Sequence, residues 1–399
     1  MEQVEGPPGT AAEQWRSFGA ALGEAGAAVH ERADGVRTAA EQEQVTQALL
    51  WWSIGALASI PGRNTDFPEF VPILNPVMRL ICGNADTTYR QAVIRGDGAY
   101  RITGRRGTVH IVHLQVIAGF MGSREPLRVL ADINLDECTV DERGWIDIVL
   151  SADRPADHDG DWFPLDATLP DTFVVARQIS YDWLSEIEAT LAIERIDRPV
   201  PSRAHTVGPL ESLPLVADYV RKEPIRFMEV QEKHLALLEP NAVMEVSREL
   251  PGAMAGQTYM HGLIQIAPDE ALIIEFEPPV DSPYWGVQIL DYFYNTLDVR
   301  RMPASLNGHQ GATDPDGKVR IVVAASDPGV RNWLDKGHDE RGQLRMRFYA
   351  AKRPTITTSV VPLDMLLDHL PPETATVTPA ERAQTLRDRV IGLQLRRRW

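Results

Sequence analysis

The stretch of sequence that decides the fold is Pro283–Phe348, which reads PYWGVQILDYFYNTLDVRRMPASLNGHQGATDPDGKVRIVVAASDPGVRNWLDKGHDERGQLRMRF. Its first part is aromatic and apolar, its middle contains a β-branched run, and its end alternates apolar with basic residues. These patterns predict strands within Tyr284–Asn295, Val319–Ala324 and Leu344–Tyr349. The segments between them are polar and contain turn signatures such as Asp314-Pro315-Asp316-Gly317. The stretch is therefore typical of an antiparallel β-domain.

Short strand patterns continue on both sides of this stretch and fall into two groups. The C-terminal group is predicted at Gln257–Ile266, Glu270–Glu277, Trp285–Tyr294, Val319–Ala324, Leu344–Tyr349 and Thr355–Val361. The earlier group is predicted at Ala99–Thr103, Thr108–Ala118, Leu127–Ile133, Trp145–Leu150 and Thr172–Ser180. Gly- and Asp-rich turns separate the strands at short intervals, which favours antiparallel β-sandwiches.

Helical patterns flank the predicted strands. Ala12–Arg32 and Arg37–Ser59 predict a helical hairpin, and the apolar face of the second helix, with Trp51 and Trp52, is expected to pack on a sheet. The alternative use of that face is contact with a partner or a membrane surface.

Two further helical regions are predicted later in the chain. Leu213–Glu239 predicts two helices, because Pro224 removes a backbone donor and should break the run. Thr378-Pro379-Ala380-Glu381 is a capping box that should begin a terminal helix. The helix leads to an Arg-rich tail, Arg396–Trp399, which we interpret as a solvated or self-docked end.

The predicted fold class is α+β, with two antiparallel β-sandwich or jelly-roll-like domains and flanking helices at the N-terminus, in the middle and at the C-terminus. The predicted segments are a helical hairpin (1–62), a first β-domain (63–210), a helical linker (211–255), a C-terminal jelly-roll-like β-domain (256–362), and a C-terminal helix with a basic tail (363–399).

Several spaced motifs carry a family resemblance. In order they are YW-x-V-x-(I/L)-x-D, SLN, DG before a β-branched strand, DPG-x-x-NWLD and R-x-R-F/Y, all between Gly256 and Ala351. This region resembles the C-terminal domain of the family catalogued as domain of unknown function 1214. NADTTYRQA, YRITGRRG, and W-x-x-E with IER around Trp183–Arg195 are similar to the upstream region of the same proteins. The resemblance implies a jelly-roll-like β-sandwich and brings no established chemistry. Relatives often read Asp-Asn-Pro-Asp where this chain has Gly83-Asn84-Ala85-Asp86, so the resemblance assigns that turn no role.

Composition and charge exclude several classes of partner. The net charge of -16 argues against nucleic-acid binding, because that affinity rests on Lys and Arg neutralising phosphates. The longest apolar run, Ala48–Ile60, is too short to span a membrane, and the N-terminus lacks the pattern of a secretory signal. Cys82 and Cys138 lie in apolar or ordinary sequence surroundings and cannot be assigned a disulfide, so we expect a reduced, cytoplasmic protein.

Sequence motifs give no support for a metal or a cofactor, and we predict neither. There is no HExxH and no CxxC, and His110 and His113 should point to opposite faces of a strand. Asp157–Asp161 resembles the start of a calcium loop but lacks an acidic residue at the twelfth position. P-loop, dinucleotide-binding and G-x-S-x-G motifs are also absent.

Polar and aromatic residues cluster in the C-terminal β-domain and form the predicted site. Tyr259 and His261 are two residues apart, so their side chains should share one face of a strand. We predict His261 or His309 as the proton-transfer residue and Asp291 as a catalytic or orienting carboxylate. The predicted substrate-binding residues are Tyr259, Tyr294, Asn295, Asn307, Asp327, Asn332, Trp333 and Arg347.

Two functions remain open at this stage. One is a cofactor-independent acid–base enzyme (a lyase, hydrolase or isomerase) acting on a hydroxylated apolar or sugar-like compound. The other is a non-catalytic protein that binds a carbohydrate or small ligand, or that serves in an assembly. The expected partner is a small organic ligand, with a homo-oligomer as a further option. The structural alternative is that Trp333 closes the end of the sandwich while Asn307 and Asn332 bond turn backbone.

Overall fold

The structure is a computed structural model of the 399-residue chain. It describes residues 9–33, 38–75, 78–119, 127–199, 208–245, 253–337, 339, 341–349 and 353–396. Residues 397–399, at the end of the predicted Arg-rich tail, lie outside this set. Residues 34–37, between the two helices of the predicted N-terminal hairpin, also lie outside it.

The elements are helices and mostly antiparallel strands, which confirms the predicted α+β class with two β-sandwiches. The helices are α1 (Ala11–Arg32), α2 (Ala39–Ser59), α3 (Pro209–Leu235) and α4 (Pro379–Leu395). The strands of the first half are β1 (Val71–Leu74), β2 (Thr87–Ile94), β3 (Tyr100–Arg105), β4 (Ile111–Ala118), β5 (Arg128–Asn134), β6 (Trp145–Ser151), β7 (Asp161–Pro164), β8 (Thr172–Ile179) and β9 (Thr190–Arg195). Those of the second half are β10 (Val243–Glu245), β11 (Gln257–Gln265), β12 (Glu270–Phe276), β13 (Tyr284–Leu290), β14 (Ser305–Asn307), β15 (Val319–Ala324), β16 (Trp333–Asp335), β17 (Arg341–Tyr349) and β18 (Ile356–Pro362).

The first sandwich consists of two facing sheets. Sheet 1 has the order β1-β2-β8-β4-β5, and sheet 2 has the order β7-β6-β3-β9. All neighbours are antiparallel except β6 and β7. Leu114 and Val174 of sheet 1 and Ile102 and Ile148 of sheet 2 lie in the shared core. Because side chains alternate along a strand, the odd-numbered residues of β4 and β8 point away from this core.

The second sandwich pairs sheet 3, of order β10-β11-β17-β13-β14, with sheet 4, of order β16-β15-β12-β18. Its core contains Leu344, Met346 and Phe348 of β17, which is the central strand of sheet 3. Each such side chain contributes about 1.5–3 kcal/mol on burial. The intervening residues Arg345 and Arg347 therefore lie on the opposite face of sheet 3, and that face is also buried.

The N-terminal helices pack mainly on α3, and α2 also contacts β1 at the edge of sheet 1, so the predicted packing on a sheet is found only in part. Trp51 and Trp52 are buried, and the Trp52 ring lies 5.8 Å from the ring of Tyr219 and 6.1 Å from that of Phe227. These tryptophans therefore do not form an exposed docking patch. In the part of the chain that the structure describes, no helix has the length and apolar character needed to cross a membrane.

α3 is a single helix, so the predicted break at Pro224 is wrong. Pro214 and Pro224 both lie inside it, and their neighbours keep helical geometry. The packing of α3 against α1 and α2 holds the helix together where the backbone donor is missing.

The terminal helix begins as predicted. Thr378 and Glu381 form the capping box, with Pro379 at the first helical position. α4 ends at Arg396, whose guanidinium is buried and donates hydrogen bonds to the carbonyl oxygens of Ala85, at 2.8 Å, and Asp86, at 2.5 Å. The start of the predicted tail is therefore docked on the body of the protein.

Candidate functional site

The candidate site lies where the outer face of sheet 1 meets the polar face of sheet 3. In sheet 3, Tyr259 is paired with Arg347, and His261 is paired with Arg345. Paired residues point to the same side of a sheet, so these four side chains share one face. The interface thus brings together the polar outer face of sheet 3 and the partly apolar outer face of sheet 1.

A cavity of about 290 Å³ separates the two sheets, at the lower end of the volumes that hold small ligands. α3 and the segment at Ala253–Met254 complete its wall. Its apolar lining includes Ile73, Leu74, Ile81, Ile117, Leu127, Phe173, Val175, Ile179, Phe227, Val230 and Met254. Its polar lining includes Cys82, Asn84, Tyr89, Gln91, Arg177, Gln231, His234, Gln257, Tyr259, His261, Tyr294, Arg345 and Arg347.

Arg345 is the most unusual group in this lining. Its side chain is almost fully buried, and among the described residues its Nε and Nη1 atoms have no hydrogen-bond partner. Its guanidinium lies over the rings of Tyr259, at 5.5 Å, and Tyr294, at 5.1 Å. Burial lowers the pKa of Arg345. A buried cation without a carboxylate partner costs several kcal/mol, so the protein retains it at the expense of stability.

Arg347, the neighbouring cation on the same face, is bonded to the turn at Cys82. Its Nη2 atom donates to the Cys82 carbonyl oxygen at 2.6 Å and lies 3.1 Å from the Cys82 Sγ atom. The Cys82 sulfur therefore lies beside a guanidinium. The ordinary surroundings expected for Cys82 from its sequence neighbours are wrong, because its charged neighbours come from a distant strand.

Backbone strain is concentrated beside this cysteine. Ile81, Cys82 and Tyr294 have φ values of 43°, 53° and 68°, in the left-handed region that is costly for residues other than glycine. The backbone N–H of Cys82 donates to the carbonyl oxygen of Tyr294 at 2.8 Å, so the two strained turns hold each other. All three residues line the cavity.

The imidazole of His261 is held in one orientation by an amide chain. The Gln343 Nε2 atom donates to the Tyr292 carbonyl oxygen at 2.6 Å, which leaves Gln343 Oε1 to accept from His261 Nε2 at 2.7 Å. This assignment makes Nδ1 of His261 an unprotonated acceptor, and that buried atom has no partner among the described residues. Burial, with the charge of Arg345 second, lowers the pKa of His261 to about 2.

Asp291 lies outside the cavity lining and supports the site by bonding to the turn at Asn295. Its Oδ1 accepts from the Asn295 backbone N–H at 2.8 Å, and its Oδ2 accepts from the Asn295 side-chain amide at 2.9 Å. These bonds close the turn that places Tyr294. Burial raises the pKa of Asp291 to about 7, although the Asn295 bonds oppose that shift.

A second part of the interface contains the residues of the family-like motifs. The buried carboxylate of Asp86 accepts from Trp183 Nε1 at 2.8 Å, Asn307 Nδ2 at 2.8 Å and the Tyr284 hydroxyl at 2.7 Å. Gly286 makes room for this contact, since a Cβ atom there would lie 2.3 Å from the Tyr284 hydroxyl oxygen. We call these four bonded residues, Asp86, Trp183, Tyr284 and Asn307, the Asp86 network.

The motifs thus meet in one buried network that joins the two sandwiches. Residues 267–353 match the family Protein of unknown function (DUF1214). The predicted resemblance of the C-terminal domain to DUF1214 is confirmed by that match.

Solved structures extend the likeness beyond the DUF1214 match. The crystal structure of an uncharacterised protein from Burkholderia cenocepacia aligns with a TM-score of 0.80 at 26% identity, over 88% of this chain and 97% of that chain. A protein from Vibrio parahaemolyticus aligns with a TM-score of 0.44 at 13% identity, over 78% of this chain and 98% of that chain, a likeness too remote to carry an argument. No curated protein matches the chain.

The structure brings only part of the predicted site together. The cavity lining contains Tyr259, His261, Tyr294 and Arg347. Asp291 and Asn295 lie behind it and fix the Tyr294 turn. The expectation that the predicted residues all gather around one hollow is therefore wrong for the remaining ones.

His309 and Asn307 lie outside the cavity lining. His309 is half exposed, and its Nε2 atom is 3.8 Å from a carboxylate oxygen of Asp182. Asn307 is fully bonded: its amide nitrogen donates to Asp86 and to the Tyr181 carbonyl oxygen, and its Oδ1 accepts from the backbone N–H groups of His309 and Gln310. An Asn in a turn often satisfies the hydrogen-bonding groups of the nearby backbone, which is the purely structural role considered for Asn307 in the sequence analysis.

Asp327, Asn332 and Trp333 belong to the far end of the second sandwich. Asp327 pairs with Arg382 of α4 at 2.9 Å. Asn332 bonds to the backbone of Ala312, and Trp333 Nε1 donates to the Ala324 carbonyl oxygen at 3.2 Å. These contacts hold loops and α4 onto sheet 4, away from the cavity.

Arg345 and Cys82 are among the cavity residues that sequence reasoning missed. Arg345 had only a partial signal, because the alternation of basic and apolar residues along Leu344–Phe348 predicts which strand face is basic but not that this face is buried. Cys82 had none, since its partner Arg347 is 265 residues away.

Proposed function

We propose that this protein binds a small carboxylate with an apolar body in the cavity between its two β-sandwiches. The observation that carries the proposal is Arg345, a buried guanidinium whose Nε and Nη1 atoms have no partner among the residues described. A carboxylate can accept a hydrogen bond from either of these two atoms, and it neutralises the charge at the same time.

The shape and polarity of the lining support an amphipathic ligand. The polar side chains of β11 and β17 form one wall, whereas the wall from sheet 1 and α3 includes Phe173, Val175, Phe227 and Val230. A ligand with its carboxylate at Arg345 and a hydrocarbon or aromatic body against these residues buries both ends in matching surroundings.

His261 supplies a place for a ligand hydroxyl group. Its Nδ1 lone pair faces no donor within the described residues, so a hydroxyl donor on the ligand would satisfy it. The lowered pKa of this ring makes it a hydrogen-bond acceptor rather than a proton carrier near neutral pH. The proposed role of His261 is therefore ligand recognition, in place of the proton transfer predicted from sequence.

Calorimetric titration with three matched probes tests the proposal: phenylacetate, its hydroxylated relative mandelate, and the neutral phenylacetamide. We expect both acids to bind and the amide to bind at least about tenfold more weakly. Arg345→Met should weaken the binding of the acids by about 10- to 100-fold, since a hydrogen-bonded charge contributes about 1.5–3 kcal/mol.

Arg101→Met is the control for general loss of positive charge. Arg101 is a partly exposed residue of sheet 2 that pairs with Asp147, so its replacement should leave all three affinities unchanged. Equal affinities for phenylacetate and phenylacetamide, or full retention of acid binding in Arg345→Met, would contradict the proposal.

We also propose a cytoplasmic location, where thiols remain reduced. Both cysteines of the chain, Cys82 and Cys138, are free in the structure. Fractionation of cells that express the untagged protein tests this point, and recovery in an extracellular or periplasmic fraction would refute it.

A further inference from the structure

We propose that Cys82 is a nucleophilic thiolate that is alkylated by small carboxylates carrying a leaving group close to the carboxylate. This inference rests on the proposed carboxylate site at Arg345 and adds covalent chemistry to it. Cys82 and Arg345 both line the cavity, and the buried Nε and Nη1 atoms of Arg345 have no hydrogen-bond partner among the described residues.

Two guanidinium groups lie close to the Cys82 sulfur. Arg347 Nη2 is 3.1 Å from Sγ, and Arg345 is within electrostatic range of the same sulfur. Cations close to sulfur lower the cost of ionising a thiol, and the thiolate is the reactive species.

Cys138 provides an internal contrast. Burial, followed by the carboxylates of Asp161 and Glu137, raises the pKa of Cys138 to about 12. Cys138 should therefore remain a thiol and react slowly near neutral pH.

The backbone fixes the position of Cys82 in the cavity. Ile81 and Cys82 both adopt the left-handed conformation, and the Cys82 N–H bonds to the similarly strained Tyr294. Strain of about 1–3 kcal/mol per residue is kept only where surrounding contacts enforce it, and it is common at functional sites. Here the enforced geometry places the sulfur next to Arg347.

Strand spacing places the sulfur near the carboxylate site. Arg345 and Arg347 are two residues apart on β17, so their Cα atoms are about 7 Å apart. A carboxylate held by Arg345 would therefore place a carbon one or two bonds away within reach of a thiolate held by Arg347. This spacing selects compact electrophilic acids.

The covalent step is a simple substitution. The thiolate of Cys82 donates an electron pair to the electrophilic carbon and a carbon–sulfur bond forms. The bond between that carbon and its leaving group breaks, and the leaving group departs with the bonding electrons as an anion. No oxidant, reductant or additional proton is required.

Alkylation of the whole protein with iodoacetate and iodoacetamide tests the inference. The two reagents carry the same leaving group and differ in charge, and peptide mass spectrometry gives the rate at each cysteine. The ratio of the two rates at Cys82 is measured in the native protein and again in urea. We expect the ratio of the iodoacetate rate to the iodoacetamide rate to be at least about tenfold higher in the native protein than in urea, which is equivalent to about 1.4 kcal/mol.

Variants and a competitor assign this preference to Arg345. In Arg345→Met the preference, measured as the ratio of the two rates, should vanish, and Arg345→Lys should restore part of it because the positive charge returns. In the wild-type protein, phenylacetate should protect Cys82 from iodoacetate, a test that needs no substitution. Cys138 should show no native preference for either reagent.

Equal native and denatured ratios at Cys82, or a native Cys82 that reacts with neither reagent, would overturn the inference. Phenylacetate binding to Cys82→Ser separates this failure from failure of the proposed function. If the variant binds phenylacetate but the wild-type sulfur shows no preference, only the covalent inference falls. If phenylacetate binding to the wild-type protein is also absent, both fall.

Discussion

The two ends of the interface between the sandwiches treat buried polar groups in opposite ways. At the Asp86 network, one carboxylate accepts three side-chain hydrogen bonds from both β-domains. At the cavity, Arg345 and His261 each present buried nitrogen atoms without partners in the described part of the chain. The first end resembles a protein interior and the second resembles a binding site.

Within one interface, the Asp86 network therefore stabilises the fold, and the cavity is suited to ligand recognition. A fully bonded network holds two domains in register, because losing any member leaves the others unsatisfied. Unpaired buried groups do the reverse, since they lower stability until a ligand supplies the missing bonds.

Asp86→Ala should have the largest effect on stability. It removes the acceptor for Trp183, Tyr284 and Asn307, and each unsatisfied buried donor costs about 1–3 kcal/mol. With partial relaxation we expect a loss of about 3–5 kcal/mol in the free energy of unfolding, measured by urea denaturation. Asp281→Ala, at an exposed loop position, should change it by less than about 0.5 kcal/mol. A loss below about 1 kcal/mol in Asp86→Ala would contradict this role.

Arg341→Met and Arg345→Met compare two arginines on the same face of β17. Arg341 forms a buried ion pair with Glu41 at 2.5 Å, so removing it leaves a buried carboxylate and should cost about 3–5 kcal/mol. Arg345→Met removes an unpaired charge and should leave stability unchanged or slightly higher. Urea denaturation of both variants measures this contrast, which equal losses of stability would refute.

The Asp291 turn should give stability a dependence on pH. The pKa of Asp291 is raised to about 7 in the folded protein and is about 4 in an unfolded chain. The folded state therefore keeps a proton that the unfolded state releases, so this group's contribution falls as pH rises from about 4 to about 7. The change amounts to as much as about 4 kcal/mol.

Urea denaturation across this pH range should show a shallower decline, or none, in Asp291→Asn, which cannot ionise. Asp327→Asn is a suitable comparison, because Asp327 pairs with Arg382 at the far end of sheet 4. Identical pH profiles for wild type and Asp291→Asn would remove Asp291 as the source of the effect.

His261→Ala should have the smallest effect and a selective one. We expect mandelate to bind about five- to tenfold more weakly, because one hydrogen bond contributes about 1 kcal/mol, while phenylacetate binding is unchanged. His309→Ala is the control, since His309 lies outside the cavity lining.

Because His261 stays neutral, mandelate affinity in the wild-type protein should be flat between about pH 5.5 and 8, whereas a transition near 6.5 would indicate a titrating imidazole.

The fold was largely predictable because most strands carry a strong periodic signal. β11, β12, β15 and β17 are recognised from alternation or β-branched composition, and the α4 capping box is local chemistry. β9 was missed, because the turn after Ile179 gave no signal that separates a helix from an extended arm. The unbroken α3 was also missed, since tertiary packing overrode the local effect of Pro224.

The site was predictable only where its members lie on the strands of one sheet. Tyr259, His261 and Arg347 follow from same-face alternation on β11 and β17. Trp333 and Asn332 were wrongly included, because a polar turn that bonds its own backbone resembles a pocket rim in sequence. Cys82 depends on contacts that only the folded chain creates.

The docked position of Arg396 has a practical consequence for experiments on this protein. Its guanidinium reaches the carbonyl oxygens of Ala85 and Asp86, so the carboxyl-terminal helix is fastened to the turn that also carries Cys82. Affinity tags, fluorescent fusions and surface-immobilisation linkers attached at this end would pull on that turn. They belong at the amino-terminal end, since none of the described residues of α1 lines the cavity.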